Sequence, residues 1–320
     1  MRIVFMGTPD FAVPTLKALV ENKYDVVAVV TQVDKPKGRG HILTPPPVKE
    51  YAMSKNIPVI QPEKLSREPE TIEKLRELEP DVIVTCAFGQ ILPKSVLDIP
   101  KFGTINVHGS LLPKYRGAAP LHWAIINGEK KTGITTMLTD IGLDTGDILL
   151  KDEIEITDDM TVGELHDIMS LQGAKTLIRT LAELEKGTLV RIKQDESSAS
   201  YAPKVDKDTG HVNWDNPSKK IHDLIRGTTP FPGAWTELSG KKIRLSGSKP
   251  IGDTTSKSAV EAGIHKVKPG TILKIDPDGM LVKTSDGAVL IKQIQVDSGK
   301  RMTPFEYSLG HDFSPGMKLG

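Results

Sequence analysis

Short apolar runs alternate with longer amphipathic stretches through the first half of the chain. Residues 2–6, 25–31, 58–60, 81–87, 103–108 and 133–139 have the apolar, β-branched character of buried strands. After Asp10, a residue type suited to an N-cap, Ala12, Val13, Leu16, Leu19 and Val20 recur at helical spacing. Pro14 falls in the first turn of that helix, where a missing N–H is tolerated. Residues 67–79 place Ile72, Leu75 and Leu78 on a largely charged helix, and residues 160–186 make a long amphipathic one. This alternation predicts an α/β fold, a mostly parallel sheet covered on both faces.

The rhythm then changes. Residues 191–206 are polar and small and read as an exposed linker. Beyond them, residues 241–247, 270–275, 280–284 and 288–296 are short strand candidates, and residues 218–226 form one helix carrying Ile221, Leu224 and Ile225. Asp278-Gly279 and Asp286-Gly287 are turn dipeptides, the second placed as in a hairpin. The expected organisation is a first domain over 1–190, a linker over 191–206 and a small β-barrel or β-sandwich over 207–320.

Composition adds little to this. Hydrophobic residues are 38% and charged residues 26%, as in an ordinary globular protein, and the net charge is +1. Residues 207–320 alone carry +5, a mild bias compatible with a nucleic-acid face. The single cysteine, Cys86, lies in the apolar run 81–87 and reads as a small core residue. No apolar run reaches membrane-spanning length, and the first residues are not expected to act as a signal peptide, the apolar stretch being short and without a small-residue cleavage site. The expectation is a cytoplasmic monomer.

The first βα turn, Gly7-Thr8-Pro9-Asp10, lacks the glycine pattern that brings a backbone close to a pyrophosphate, which argues against a dinucleotide-linked dehydrogenase. Chemistry is expected at other strand ends. Alternation puts Thr104, Asn106 and His108 on one face of a strand, and such a polar face must be fully bonded or line a site. The Gly- and Pro-rich stretch 109–120 follows, leading to a helix with His122 and Trp123. It is either a rigid connection or a cover over a ligand, with Leu111, Leu112 and Pro113 facing a flat apolar ring. In residues 141–147, Asp144 and Asp147 are either turn residues or carboxylates at the site. One beside His108 would orient the imidazole and favour its charged form. Residues 34–49 form a long loop with Lys35, Lys37, Arg39 and Lys49. It is either solvated and flexible or a grip for an anionic polymer.

These motifs resemble those of the methionyl-tRNA formyltransferase family along nearly the whole chain. The resemblance is carried by Phe5-Met-Gly-Thr-Pro-Asp-Phe11, Gln32-Val-Asp-Lys-Pro-Lys-Gly-Arg-Gly40, Asn106-Val-His-Gly-Ser-Leu-Leu-Pro113, Arg116-Gly-Ala-Ala-Pro120 and Gly142-Leu-Asp-Thr-Gly-Asp147. Tyr201-Ala-Pro-Lys204 and Phe231-Pro-Gly-Ala-Trp235 resemble the start of the family's second domain, and Phe305–Gly320 is the least distinctive stretch. The resemblance implies a Rossmann-like formyltransferase domain followed by an OB-like barrel. It implies catalytic roles for Asn106, His108 and Asp144, and contact with 10-formyltetrahydrofolate by Ser110, Leu111, Leu112 and Pro113. It also implies that Lys35, Lys37, Arg39 and His41 meet initiator methionyl-tRNA, with the barrel holding the tRNA from the other side.

The chemistry is consistent with this. In acyl transfer, Asn106 would donate to the developing oxyanion, His108 would stabilise it or relay a proton, and Asp144 would orient the ring. No metal is expected, since no His/Cys cluster has ligand spacing, and no G-x-S-x-G elbow suggests an acyl-enzyme. The rival readings are a formyltransferase acting on a glycinamide or amino-sugar nucleotide, a 10-formyltetrahydrofolate hydrolase, and a binding module without turnover.

Overall fold

The computed structural model describes residues 1–37, 40, 42–251 and 267–320. They divide into two compact units. The first comprises residues 1–120, 131–155 and 166–202, and the second residues 121–130, 156–165 and 203–320.

Chain order begins β1 (Arg2–Gly7), α1 (Val13–Glu21), β2 (Asp25–Val30), β3 (Lys35–Lys37), β4 (Ile42–Thr44), α2 (Pro47–Ser54) and β5 (Val59–Ile60). It continues with α3 (Pro69–Glu77), β6 (Val82–Cys86), α4 (Lys94–Leu97), β7 (Thr104–His108), β8 (Arg116–Gly117) and α5 (Pro120–Ile126). Then come β9 (Lys131–Leu138), β10 (Ile148–Glu155), α6 (Val162–Lys186) and β11 (Tyr201–Ala202).

The main sheet has seven strands in the order β10-β9-β7-β6-β1-β2-β5. From β5 to β7 the pairs are parallel, and β9 pairs antiparallel with both β7 and β10. Parallel central strands are covered on both faces and must be apolar throughout. Accordingly Ile3, Val4, Phe5 and Met6 are wholly buried, and every residue of β6 is buried, with only Thr85 retaining slight exposure. The chain leaves β1 toward β2 and β5 and returns to β6 on the other side of β1. This reversal makes the carboxyl ends of β1 and β6 a topological switch point, the place where open α/β sheets bind ligands, with β7 next to β6. β10 was not expected. After the buried Ile148 and Leu149 it alternates half-buried and exposed positions and carries Lys151, Asp152, Glu153 and Glu155, as an edge strand does.

Two stretches read as irregular are built differently. Within 34–49, β3 and β4 pair antiparallel, Lys35 with Thr44 and Lys37 with Ile42. Pro47 then starts a helix, where its fixed φ suits the first turn. The polar stretch read as a linker is bonded into the first unit: Ile192 bridges to Ile148, and β11 pairs in parallel with β8.

The second unit contains α7 (Ser218–Gly227), β12 (Ala234–Leu238), β13 (Lys241–Ile251), β14 (Ile272–Asp276), β15 (Gly279–Lys283) and β16 (Ala288–Val296). The five strands form an antiparallel sheet in the order β12-β13-β16-β15-β14. Its core includes Trp214, Ile221, Ile225, Leu245, Val282 and Ile291. The final residues close the sheet on itself. Met317 O accepts from Ile272 N–H beside β14, and Gly320 exchanges two backbone bonds with Glu237 of β12. Buried polar groups on α7 explain why residues 156–165 belong here. Arg226 donates to Thr157 O and Met160 O, and His222 Nε2 to Asp158 O.

Candidate active site

β7 ends at the centre of the first unit's sheet, and its polar face is the starting point. Thr85 on β6 lies opposite Asn106 in the parallel register. Its hydroxyl donates to Asn106 Oδ1 at 2.9 Å. With that oxygen engaged, the amide is oriented, and Asn106 Nδ2 has no hydrogen-bond partner among the described residues. The outcome is a fixed, available N–H donor on a rigid strand.

Two residues on, His108 is 5% exposed. Its Nε2 lies 3.0 Å from Tyr115 O. A carbonyl only accepts, so Nε2 carries the hydrogen and Nδ1 is the nitrogen left to gain or lose a proton. Nδ1 faces Asp144 Oδ2 at 3.6 Å, an ion-pair distance longer than a hydrogen bond. The same carboxylate oxygen accepts the Gly117 N–H at 2.8 Å. Thus Asn106, His108 and Asp144 are brought to one place, each fixed by a neighbour. Thr104, at the far end of the strand, is buried with its hydroxyl unpartnered among the described residues.

Asp144 sits in a tight loop. Asp140 Oδ1 accepts from Gly142 N and Thr145 Oγ1, and Asp144 itself has φ +53°. A side chain on Gly146 would run into the Leu138 carbonyl, so only glycine fits there. Asp147 serves the sheet, its carbonyl accepting from Leu138 N–H at 2.9 Å.

The turn after His108 is tightly pinned. The Ser110 hydroxyl donates to Lys114 O at 2.6 Å, and Ser110 is wholly buried. Thr135 Oγ1 donates to Ser110 O and accepts from Leu112 N. Lys151 Nζ donates to Leu112 O. Leu112 packs with Met137 and Ile148, while Leu111 and Pro113 are half-buried. Leu111 and Pro113 therefore form the turn's apolar edge, and Ser110 and Leu112 hold its shape.

Of the residues expected to meet tRNA, Lys35 is exposed and Lys37 ends β3; Arg39 and His41 lie outside the described residues. The neck of this segment is closed by Lys49 Nζ, which donates to both Asp34 oxygens and to Gln61 Oε1 at 2.8–2.9 Å. Hydrogen bonds from Gln61 and Lys49 hold the Asp34 carboxyl below its ordinary value. Cys86 is buried, and burial pushes its thiol up to about 12, as suits an inert core residue.

Four partners were not legible beforehand. Thr85 lay hidden in an apolar run, and only strand pairing reveals that it faces Asn106. The Tyr115 carbonyl and the Gly117 amide are backbone groups without a sequence signature. Gln194 sits in the presumed linker, yet its amide reaches the Asp144 loop. Hydrogen bonds to Glu196 keep the nearby Arg116 guanidinium above its ordinary value.

The formyl transferase family model matches residues 1–181, and the model for the formyl transferase C-terminal domain matches residues 204–312. A methionyl-tRNA formyltransferase of Acetivibrio thermocellus is 54% identical over 320 residues, covering all of both chains. One from Ruminiclostridium cellulolyticum is 52% identical with the same coverage. The chain belongs to the methionyl-tRNA formyltransferase family. Like other members of the methionyl-tRNA formyltransferase family, it is a formyl-group transferase.

Solved structures agree on the fold. The N-formyltransferase of Helicobacter canadensis, in complex with folinic acid and dTDP-3-aminofucose, has a TM-score of 0.67 at 21% identity, covering 90% of this chain and 97% of that one. HypX of Aquifex aeolicus, in complex with tetrahydrofolic acid, has a TM-score of 0.63 at 19% identity, covering 97% of this chain and 47% of that one. Among the described residues no helix is long and apolar enough to cross a membrane.

Proposed function

We propose that this chain moves a formyl group from 10-formyltetrahydrofolate to the α-amino group of methionyl-initiator tRNA, with Asn106, His108 and Asp144 at the reacting centre. The carrying observation is the Asn106 amide, whose oxygen is engaged by Thr85 so that its N–H is left for a ligand. The folate supplies an activated formyl carbon. The bond formed joins that carbon to the α-amine nitrogen. The bond broken joins it to folate N10, which leaves with a proton in exchange.

Asn106 donates to the formyl oxygen, where negative charge grows as the amine attacks. A comparable preorganised donor is worth about 3–4 kcal/mol in acyl transfer. His108 handles the proton the amine must lose. Its Nε2 hydrogen is committed to Tyr115 O, so Nδ1 is the atom that takes it up and passes it on. Asp144 holds the ring and balances the charge that the ring then carries.

The Ser110–Pro113 turn is suited to the folate. Its internal hydrogen bonds are satisfied, and its half-buried Leu111 and Pro113 offer an apolar edge to a flat ring. The segment with Lys35, Lys37, Arg39 and His41, together with the second unit's barrel, takes the tRNA. Translation supplies this acceptor, which places the work in the cytoplasm. A single chain carries all the groups named, consistent with a monomer.

The test is formyl transfer from 10-formyltetrahydrofolate to methionyl-initiator tRNA, run beside glycinamide ribonucleotide and a reaction without acceptor. Formylation of the tRNA alone is expected. Transfer to the small acceptor, or formate release without any acceptor, would keep the folate site and overturn the tRNA reading.

A further inference from the structure

One short stretch of chain holds two of the three site residues. Tyr115 O accepts from His108, and Gly117 N–H donates to Asp144 Oδ2. Between them is Arg116, the largest wholly buried side chain among the described residues. A buried guanidinium keeps its charge and must find acceptors. It finds them nearly eighty residues along the chain. Glu196 takes NH1 and NH2 at 2.9 and 2.7 Å, and Gln194 Oε1 takes Nε and NH2 at 3.1 and 2.8 Å.

Gln194 uses both ends of its amide. While Oε1 accepts from Arg116, Nε2 donates to Asp144 O at 2.7 Å and Gly146 O at 2.8 Å. Asp144 has φ +53°, a region that residues with a Cβ seldom enter. Its backbone needs an external hold if its carboxylate is to stay against His108. The same strip is fastened from below: Tyr115 N donates to Ser200 Oγ, Arg116 N to Ser200 O, and Ala118 N to Ala202 O. Gly117, at φ +115°, is close enough to Ala202 that a Cβ would lie 2.8 Å from its carbonyl oxygen.

We propose that Arg116, Gln194 and Glu196 are positioning residues that hold the backbone of Asp144, and through it the Asp144–His108 pair, in reacting geometry. The inference rests on the reaction proposed above. Arg116 fixes the orientation of the Gln194 amide, Glu196 fixes Arg116, and Gln194 fixes the loop. None of the three needs to touch substrate.

Two variants separate the ends of the Gln194 amide. Gln194→Glu keeps an acceptor for Arg116 but turns a carboxylate toward two carbonyls. Gln194→Met removes both functions. Each is compared with wild type in single-turnover formylation of methionyl-tRNA, alone and combined with Asp144→Ala, with stability followed by urea unfolding. Either change is expected to slow the step by about 10- to 100-fold, the scale on which small misplacements act, with the KM for formylfolate little changed. In the Asp144→Ala background the same change should have no further effect, because residues acting through one another are not additive.

Equal losses in both backgrounds would overturn the proposal, since a purely structural role does not depend on Asp144. Lost stability with an unchanged single-turnover rate would overturn it as well. Glu196→Gln, at a side chain 69% exposed, covers the case of a poorly folding Gln194 variant. It should slow the step severalfold with Asp144 present and not at all without it, and equal slowing in both backgrounds would again overturn the idea. A wild type that formylates no methionyl-tRNA would remove the reaction itself. Wild-type activity with additive variants would remove only the positioning.

Discussion

Residues 34–49 and 193–202 look alike in sequence: both are polar, both follow regular elements, and neither has an apolar period. In the structure they differ in where their hydrogen bonds go. The described residues of the first bond mainly to one another and at its base, through the β3–β4 ladder and the Asp34–Lys49–Gln61 neck. Beyond the neck, Ile42 and Leu43 stand 72% and 63% exposed. The second bonds to the site: Gln194 to the Asp144 loop, Glu196 to Arg116, Ser200 to Tyr115. A polar segment is therefore defined by its acceptors and donors rather than by its composition. Changes in the first should alter use of the large acceptor, and changes in the second should alter the chemistry.

The largest effect expected lies where the second segment's bonds lead. Asn106→Ala and His108→Ala should each lower kcat by about 10²- to 10³-fold in the folded enzyme, on the scale of a lost oxyanion donor. Steady-state kinetics with circular dichroism as a folding check would show it. Near-wild-type turnover in either would withdraw the role given to that residue and leave the second segment with no chemistry to support. A smaller effect is expected at the first segment. Lys49→Met opens the neck, and Arg39→Ala, at a position outside the described residues, removes a charge beyond it. Both should raise the KM for methionyl-tRNA several-fold and leave that for formylfolate unchanged. For Arg39→Ala, the salt dependence of tRNA binding should also weaken by about one phosphate contact. A fall in kcat with no change in tRNA affinity would break the comparison, because the first segment would then be acting on the site.

Strands buried on both faces were legible because they are apolar throughout, and the polar face of β7 was legible because it breaks that rule. Asn106, His108 and Asp144, the residues of the candidate site, were reachable from alternation, loop composition and family motifs. What could not be read were the groups that orient them. Thr85 shows its purpose only when β6 is laid beside β7 in register. The Tyr115 carbonyl and Gly117 amide exist in any sequence. Residues 191–206 were read as a linker because their side chains are polar, yet Arg116, wholly buried, needs such partners. β10 was missed because its exposed face carries charges, and the last residues were passed over although their backbone closes the second sheet.

The smallest effect expected separates the two segments by pH. Hydrogen bonds from Gln61 and Lys49 lower the Asp34 pKa in the folded chain. A carboxylate with a depressed folded pKa contributes stability that is present above its unfolded value of about 3.9 and is lost as pH falls through the folded value. The β3–β4 ladder should therefore be better protected from hydrogen exchange in wild type than in Asp34→Asn at pH 6, with the difference shrinking below about pH 4. Comparing the two proteins at each pH cancels the intrinsic exchange rate. A difference unchanged at pH 3 would mean that Asp34 closes the neck by shape and not by charge. No difference at any pH would mean the neck pair does not hold the hairpin, and the contrast between a self-bonded and a site-bonded segment would lose its first half.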